Sequence, residues 1–388
     1  MLIAHKIALD PTNVQRTYFA RAAGTARFVY NWALAEWKRQ YLIGKDDPSS
    51  PLPTEISLRR QLNGMKRETF PWMFDVTKCA TQEAIINLGL AFRAFFEKRG
   101  KYPRFKTRGK RDSFCAANEA NKFRCDGRRI KLPVVGWVRM REEVRFKGKL
   151  KRVTVSREAD RWFASIMVDI EDEKSVQQPL DAVGVDLKTT PFATLSDGTD
   201  VAGSKDHVAL MKRLKRNSRA LSRKLRGSKK AQKAKRRLAR LQIRISNIRQ
   251  DVLHKTTSKL TKSYRRVGIS HSIVRAIARN HRLSGSIRDY SIVEFRRQLD
   301  YKARYYRTTI VIADEFFPSS EMCSRCGSVK TELALSQRLY HCDDCGYVAR
   351  HNFNAARNLE HMAASFAVSV CGEKRFNAKH KPRVKRSR

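Results

Sequence analysis

Acidic residues are what this sequence has least of. Thirty-seven Asp and Glu stand against 82 Lys and Arg, for a formal charge of +45. No carboxylate lies between Asp206 and Asp251, and none between Asp251 and Asp289. So large an excess of one sign costs self-repulsion unless a polyanion is near, which makes nucleic acid the expected partner. A ribosomal-type or membrane-surface basic protein is the blander alternative. Long apolar runs are missing as well, which argues against a membrane span, and the stretch from Met1 to Pro11 has no secretory apolar core. A disulfide framework is also absent. Of the eight cysteines, Cys79, Cys115, Cys125 and Cys371 are scattered singly and the other four form two C-x2-C pairs, a pattern of a reducing compartment with one metal site.

With 388 residues and 41% apolar content, the chain can bury cores in two to four domains. Ile3 to Leu9 alternates like a strand, and Asp10-Pro11-Thr12-Asn13 supplies turn and helix-capping chemistry. Helical spacing follows from Val14 to Tyr41 through Phe19, Phe28, Val29 and Trp32. It recurs from Leu58 to Met65, and from Ala80 to Phe96 with Ile85, Leu88, Phe92, Phe95 and Phe96 on one stripe. After Gly100 a basic, strand-rich region opens, with a hairpin expected from Val153–Ser156 and Trp162–Ile170. The run Ala182 to Leu187 reads as a buried strand, and Phe192 to Leu195 as its partner before the turn Ser196-Asp197-Gly198.

From Lys212 to Arg240, 15 of 29 positions are Lys or Arg. Leu210, Leu214, Leu221 and Leu225 share one helical face, and Leu238, Leu241, Ile245, Ile248 and Val252 another, with Gly227-Ser228 between. An antiparallel helical hairpin with an apolar seam is expected. A charge run is ordinarily a solvated face; here its single sign points to phosphate contact.

Cys323-Ser-Arg-Cys326 and Cys342-Asp-Asp-Cys345 form C-x2-C-x15-C-x2-C, each pair followed by a glycine. Four thiolates at this spacing close a tetrahedral Zn2+ shell, and a closed shell makes the metal structural.

The motifs Arg27-Phe-Val-Tyr-Asn-Trp-Ala33, Pro103-Arg-Phe-Lys106, Gly184-Val-Asp-Leu187, Glu294-Phe-Arg-Arg-Gln-Leu-Asp-Tyr-Lys302, the cysteine pairs and Asn354-Ala-Ala-Arg-Asn358 occur in one order. Together they resemble TnpB, the transposon-encoded RNA-guided nuclease related to type V CRISPR effectors. The resemblance implies a multidomain α/β protein: an oligonucleotide-binding-type β-barrel wedge with an inserted helical recognition lobe, then an RNase H-like RuvC domain with an inserted zinc ribbon. The expected segments are a wedge strand at 1–11, recognition lobe at 12–99, wedge barrel at 100–178 and RuvC domain at 179–320 with the basic hairpin at 205–260. The ribbon at 321–348, the RuvC C-terminal part at 349–372 and a basic tail at 373–388 complete the chain.

RuvC nucleases of this family hold divalent metals on an Asp, Glu, Asp trio. Asp186 matches the first. In the register set by Asn280-His-Arg-Leu283, the Glu position is Ser270; in the run Arg350-His-Asn-Phe353 the second Asp position is Asn352. A hydroxyl and an amide remove two charges from a site for hard cations, and Arg350 adds repulsion. The sequence reading is therefore a chain that is not an enzyme, keeps Asp186, Ser270 and Asn352 as remnants, and needs no catalytic Mg2+. Rescue by Asp289, Glu294, Asp314, Glu315, Asp343 or Asp344 is the competing possibility, and none of them matches a missing position.

The pattern resembles the TnpB-like nuclease-dead repressors. It implies RNA-guided binding of double-stranded DNA at a promoter, exclusion of RNA polymerase and no cleavage. The implied partners are a structured RNA with a 3′ guide and duplex DNA carrying a short adjacent motif; the protein is expected to act as a cytoplasmic, nucleoid-associated monomer. The backbone-contacting candidates are Arg104, Lys106, Arg108, Lys110, Lys212, Arg213, Arg216, Arg219, Arg223, Lys235, Arg236 and Arg240. Lys78 and Gln82, one helical turn apart, are the candidates for the duplex motif. A nuclease with residual activity serving a transposon, and a decayed RNA-binding product, are the alternatives.

Overall fold

A computed structural model describes residues 1–47, 49–118, 121–171, 179–187, 192–201, 207–270, 287–330 and 338–366. The chain divides into two compact units, Met1–Glu171 and Asp172–Arg388. Asn280–Leu283, Cys371 and the basic tail lie outside the described residues.

In the first unit, β1 (Leu2–Asp10) leads into α1 (Asn13–Asp46), which Thr12 opens with a capping box shared with Gln15. Then come α2 (Glu55–Thr69), a 3-10 helix (Pro71–Asp75) and α3 (Lys78–Phe96). Six strands follow: β2 (Ser113–Ala117), β3 (Arg124–Asp126), β4 (Arg129–Leu132), β5 (Gly136–Met140), β6 (Lys149–Glu158) and β7 (Arg161–Asp169). All seven strands join one antiparallel sheet in the order β2-β6-β7-β1-β5-β4-β3. The expected hairpin is β6–β7, and the N-terminal strand sits between β7 and β5.

Phe19 of α1 fastens the helices to this sheet. It is fully buried and lies 5.9 Å from Phe114 of β2 and 5.3 Å from Trp162 of β7. Ile85, Leu88 and Phe92 are buried as the stripe predicts, whereas Phe96 and Phe28 are exposed. In the second case α1 turns Val29 and Tyr30 inward instead, so Phe28 faces out.

The second unit is built on β8 (Leu180–Leu187), β9 (Ala193–Leu195), β10 (Asp200–Val201), β11 (Tyr264–Ile269) and β12 (Thr309–Ile312), in the order β10-β9-β8-β11-β12. β8, β11 and β12 are parallel, and β9 and β10 antiparallel. Between β10 and β11 run α4 (His207–Ser222) and α5 (Lys229–Ser263), packed through Leu210, Leu241 and Ile245. Leu225 does not join that seam. Helix α4 ends before it, and its side chain is 82% exposed.

After α6 (Ile287–Tyr306) and β12 come the short pair β13 (Leu339–His341) and β14 (Val348–Arg350), and then α7 (His351–Ala364). α7 lies against β8 at Gly184 and β11 at Gly268, where its backbone leaves no room for a side chain. Arg266 locks the far end: it pairs with Asp181 at 2.5 and 2.6 Å and donates to the carbonyls of Ala364 and Phe366, satisfying acceptors around the C-terminus of α7.

The Glu294 to Lys302 motif forms a polar ladder on α6 facing α5. Gln298 Nε2 donates to Gln250 at 2.9 Å and Glu294 at 3.0 Å. The buried Lys302 ammonium donates to the His254 carbonyl at 2.8 Å and to the hydroxyls of Thr257 and Ser258 at 2.8 and 2.9 Å. These three acceptors are neutral, and burial, with the nearby Lys262 charge, pulls the Lys302 pKa down to about 8. The unfolded chain therefore binds an extra proton between that value and the ordinary lysine range, so this group makes stability rise with pH there. Lys302→Met should remove that rise. Urea midpoints of the two proteins, compared between pH 8 and pH 10, should converge in slope only if this ammonium has no role.

Candidate nucleic-acid and metal sites

Asp186 ends the buried part of β8 and is 7% exposed. The parallel register Val185↔Ile269 brings Ser270 beside it, and the antiparallel registers Asp186↔Thr194 and Thr194↔Asp200 extend the row across β9 to β10. Partners in register share a face, and this is the face Gly184 offers to α7. Thr194 donates to Asp200 at 2.8 Å, and Arg350 donates to the other Asp200 oxygen at 2.5 Å and to the Gly198 carbonyl at 3.3 Å. Asn352 is half-buried in the first turn of α7. Asp200 was not among the acids singled out from the sequence. Its signal was the turn Ser196-Asp197-Gly198, which folds β10 back along β9.

Four cysteines form the candidate metal site. Cys323 Sγ lies 3.7 Å from Cys345 Sγ, and Cys326 Sγ lies 3.6 Å from Cys342 Sγ, with all four within 4.8 Å of one another. Zn–S bonds of about 2.3 Å in a tetrahedron give edges of roughly 3.8 Å, so the thiols match a closed zinc shell. Among the described residues this is the one group of three or more such ligands close enough to hold a metal. Backbone N–H groups, that of Cys345 foremost, lower the Cys342 thiol to about 7. The motif Asn354-Ala-Ala-Arg-Asn358 ties this knuckle to α7. Asn354 accepts from the Ser324 N–H at 2.9 Å and donates to the Met322 carbonyl at 2.7 Å, while Asn358 donates to Met322 and Ser319 carbonyls at 2.6 and 2.9 Å.

The cations separate into groups. Lys212, Arg213, Arg216, Arg219 and Arg223 on and after α4, and Lys235, Arg236 and Arg240 on α5, are all exposed. In the first unit Arg104, Lys106, Arg108 and Lys110 are exposed too, and Lys106 places its ammonium 3.9 Å from the Tyr30 ring centroid, while its backbone pairs with Asn31 at 2.8 and 2.9 Å. Lys78 and Gln82 do come together: both line a cleft of about 540 Å³ between α2 and α3. Arg60, Asn63 and Lys66 line it from α2, residues that sequence reasoning left aside although they recur at helical spacing.

No described helix is long and apolar enough to cross a membrane. A family model described as "Probable transposase" matches residues 165–281, one described as "Cas12f1-like, TNB domain" residues 293–359, and one described as "Helix-turn-helix domain" residues 1–45. The last region is here a strand followed by one unbroken helix. A protein of Streptomyces pristinaespiralis named as an RNA-guided DNA endonuclease is 34% identical, over 95% of this chain and 91% of that protein. InsQ of Escherichia coli K12, named likewise, is 35% identical over 96% of this chain and 94% of its own length. A solved Cas12f1 complex shares the fold at a TM-score of 0.57 and 13% identity, over 90% of this chain and 83% of the other.

These relatives overturn the expectation that the chain is not an enzyme, since proteins alike along nearly their whole length carry the name of a nuclease. That expectation rested on the Asp186, Ser270 and Asn352 positions and on six acids that match none of them, and it left aside Asp200, which the sheet brings into the same row. With such identity sustained from end to end, the chain belongs to the TnpB family of transposon-related proteins and carries a Cas12f1-like TNB domain.

Proposed function

We propose that the chain binds double-stranded DNA under the direction of a structured RNA with a 3′ guide, beside a short duplex motif, and that occupancy of a guide-matched promoter excludes RNA polymerase. The observation that carries this is the hairpin α4–α5, whose eight named cations stand exposed in a stretch without an acid. Phosphate backbones supply the missing negative charge, and base pairing to the guide supplies the sequence reading that a basic helix lacks. In this reading the seven-stranded sheet is the wedge, α1–α3 the recognition lobe, and the five-stranded sheet the RuvC core. Lys78 and Gln82 read the duplex motif from the α2–α3 cleft, a cation for phosphate and an amide for a base edge.

Replacing Arg213, Arg216, Lys235 and Arg236 by glutamine should leave the fold intact, because all four are exposed. It should flatten the slope of log affinity against log salt by about 0.7–0.9 for each phosphate that the variant no longer neutralises. An unchanged slope would remove the hairpin from the interface. For the whole reading, RNA that co-purifies with the protein is sequenced; the expected result is one defined RNA ending in a segment complementary to a promoter, and heterogeneous RNA refutes it. The relatives' names favour a second reading, an RNA-guided DNA endonuclease serving a transposon. It is measured in the same complex, as Mg2+-dependent breaks in guide-matched DNA that Asp186→Ala abolishes.

A further inference from the structure

The 3-10 helix Pro71–Asp75 is pegged by Met73, which is 3% exposed. Turning that residue inward leaves its neighbours Trp72 and Phe74 outward, at 41% and 57% exposure. Phe28 of α1 meets both Phe70 and Trp72 edge to face at 5.2 Å, so these three rings form one surface patch, and Phe74 stands exposed two residues beyond Trp72. Burying a ring of this size ordinarily stabilises a fold by about 1.5–3 kcal/mol, which makes a cluster of them left outside a candidate contact surface.

Cations outnumber acids in the segment that carries the patch. From Arg59 through Lys78, both included, five Lys and Arg stand against two acids, Glu68 and Asp75. Lys66 holds its ammonium 5.6 Å from the Phe74 ring centroid and donates to Asn63 at 2.7 Å. Lys66 also lines the cleft of Lys78 and Gln82, and the chain passes from the patch into Lys78 within four residues. The aromatic surface and the cleft are therefore continuous.

Flat rings bordered by cations suit an unpaired nucleobase and its phosphates, whereas a closed duplex keeps its base faces hidden. A second copy, itself at +45, would set like charge against these same lysines and arginines. Resting on the reading of the cleft as the duplex-motif site, we propose that Phe28, Trp72 and Phe74 are a stacking platform for an unpaired base of the target DNA at the edge of that motif. Strand separation has to begin beside the motif, and the first base to leave the stack loses its neighbours. Trp72 replaces one of them, which biases opening toward the side where the guide enters.

The test uses the full chain with two fluorescent DNA probes of the same sequence, one fully paired and one with a short unpaired bubble. W72A/F74A should weaken bubble binding about tenfold while paired binding stays within about twofold, and Trp72→Phe should keep most of the affinity. Ultraviolet cross-linking of 5-bromodeoxyuridine in the bubble should map to Trp72 in the unaltered protein, a readout independent of how the variant folds. Equal losses on both probes, no loss on either, or a larger loss on unpaired RNA overturn the proposal. So does a wild-type dimer in light scattering that W72A/F74A splits, which would make the patch a self-interface. If guided DNA retention fails while the bubble preference and the cross-link persist, the motif reading falls and the platform stands.

Discussion

Cys342→Ser is expected to abolish zinc binding and unfold the ribbon between Cys323 and Arg350. Among the described residues the ribbon has almost no core of its own: Cys323, Tyr340 and Cys342 form its buried cluster, with Cys345 and Tyr347 packed against them. Its sheet is two strands of three residues, too short to persist alone. In zinc-finger peptides the metal contributes about 10–16 kcal/mol of apparent binding energy at neutral pH, all of it coupled to folding. Without it, the four thiols are left crowded around an empty centre and the knuckle turns lose their reason to close. The damage should reach α7, because Asn354 and Asn358 would lose the carbonyls of Met322 and Ser319 and the N–H of Ser324. Metal content by mass spectrometry and hydrogen exchange across the ribbon measure both effects. Full protection in a zinc-free chain would show that the thiols pack without the ion.

The elements were legible where one residue pattern had one physical meaning. Alternation in Ile3–Leu9, the helical stripe Ile85-Leu88-Phe92 and the cysteine spacing each admit few structures, and β1, α3 and the four-thiol site are what they form. Leu225 and Phe28 misled because helical periodicity says which residues share a face, and not where the helix stops or which face finds a partner. The strand-end row was half legible. Asp186 stood out on its buried strand, but Asp200 joins the row only through a two-residue strand whose pairing is set by a turn, and a short strand leaves no periodicity to read. The platform was invisible for a related reason. Phe70, Trp72 and Phe74 look like core residues until Met73 is seen to take the one inward position.

Gly184→Ala should be among the most damaging single substitutions in the second unit. A Cβ at Gly184 would lie 1.8 Å from the Ala356 carbonyl oxygen and 2.5 Å from the Glu360 nitrogen, and one at Gly268 would lie 2.2 Å from the Leu359 oxygen. These are backbone atoms, so no rotamer change relieves the overlap and α7 itself has to move. Moving it disturbs Leu359, Met362 and Ala363, which pack with Val311 and Ala313. A loss on the order of 3–5 kcal/mol is expected, at the upper end of what overpacking produces. Gly64→Ala supplies the contrast: nothing lies within 4 Å of its Cβ, it sits inside α2, and alanine there should stabilise by up to about 1 kcal/mol. Urea midpoints of the two variants should move in opposite directions. The same displacement would pull Arg350, the residue just before α7, away from Asp200 and shift Asn352 relative to Asp186. Gly184→Ala should therefore weaken retention of guide-matched DNA even at temperatures where the variant stays folded, whereas Gly64→Ala should leave it unchanged. Equal retention in both variants would mean that the close seating of α7 on β8 serves stability alone.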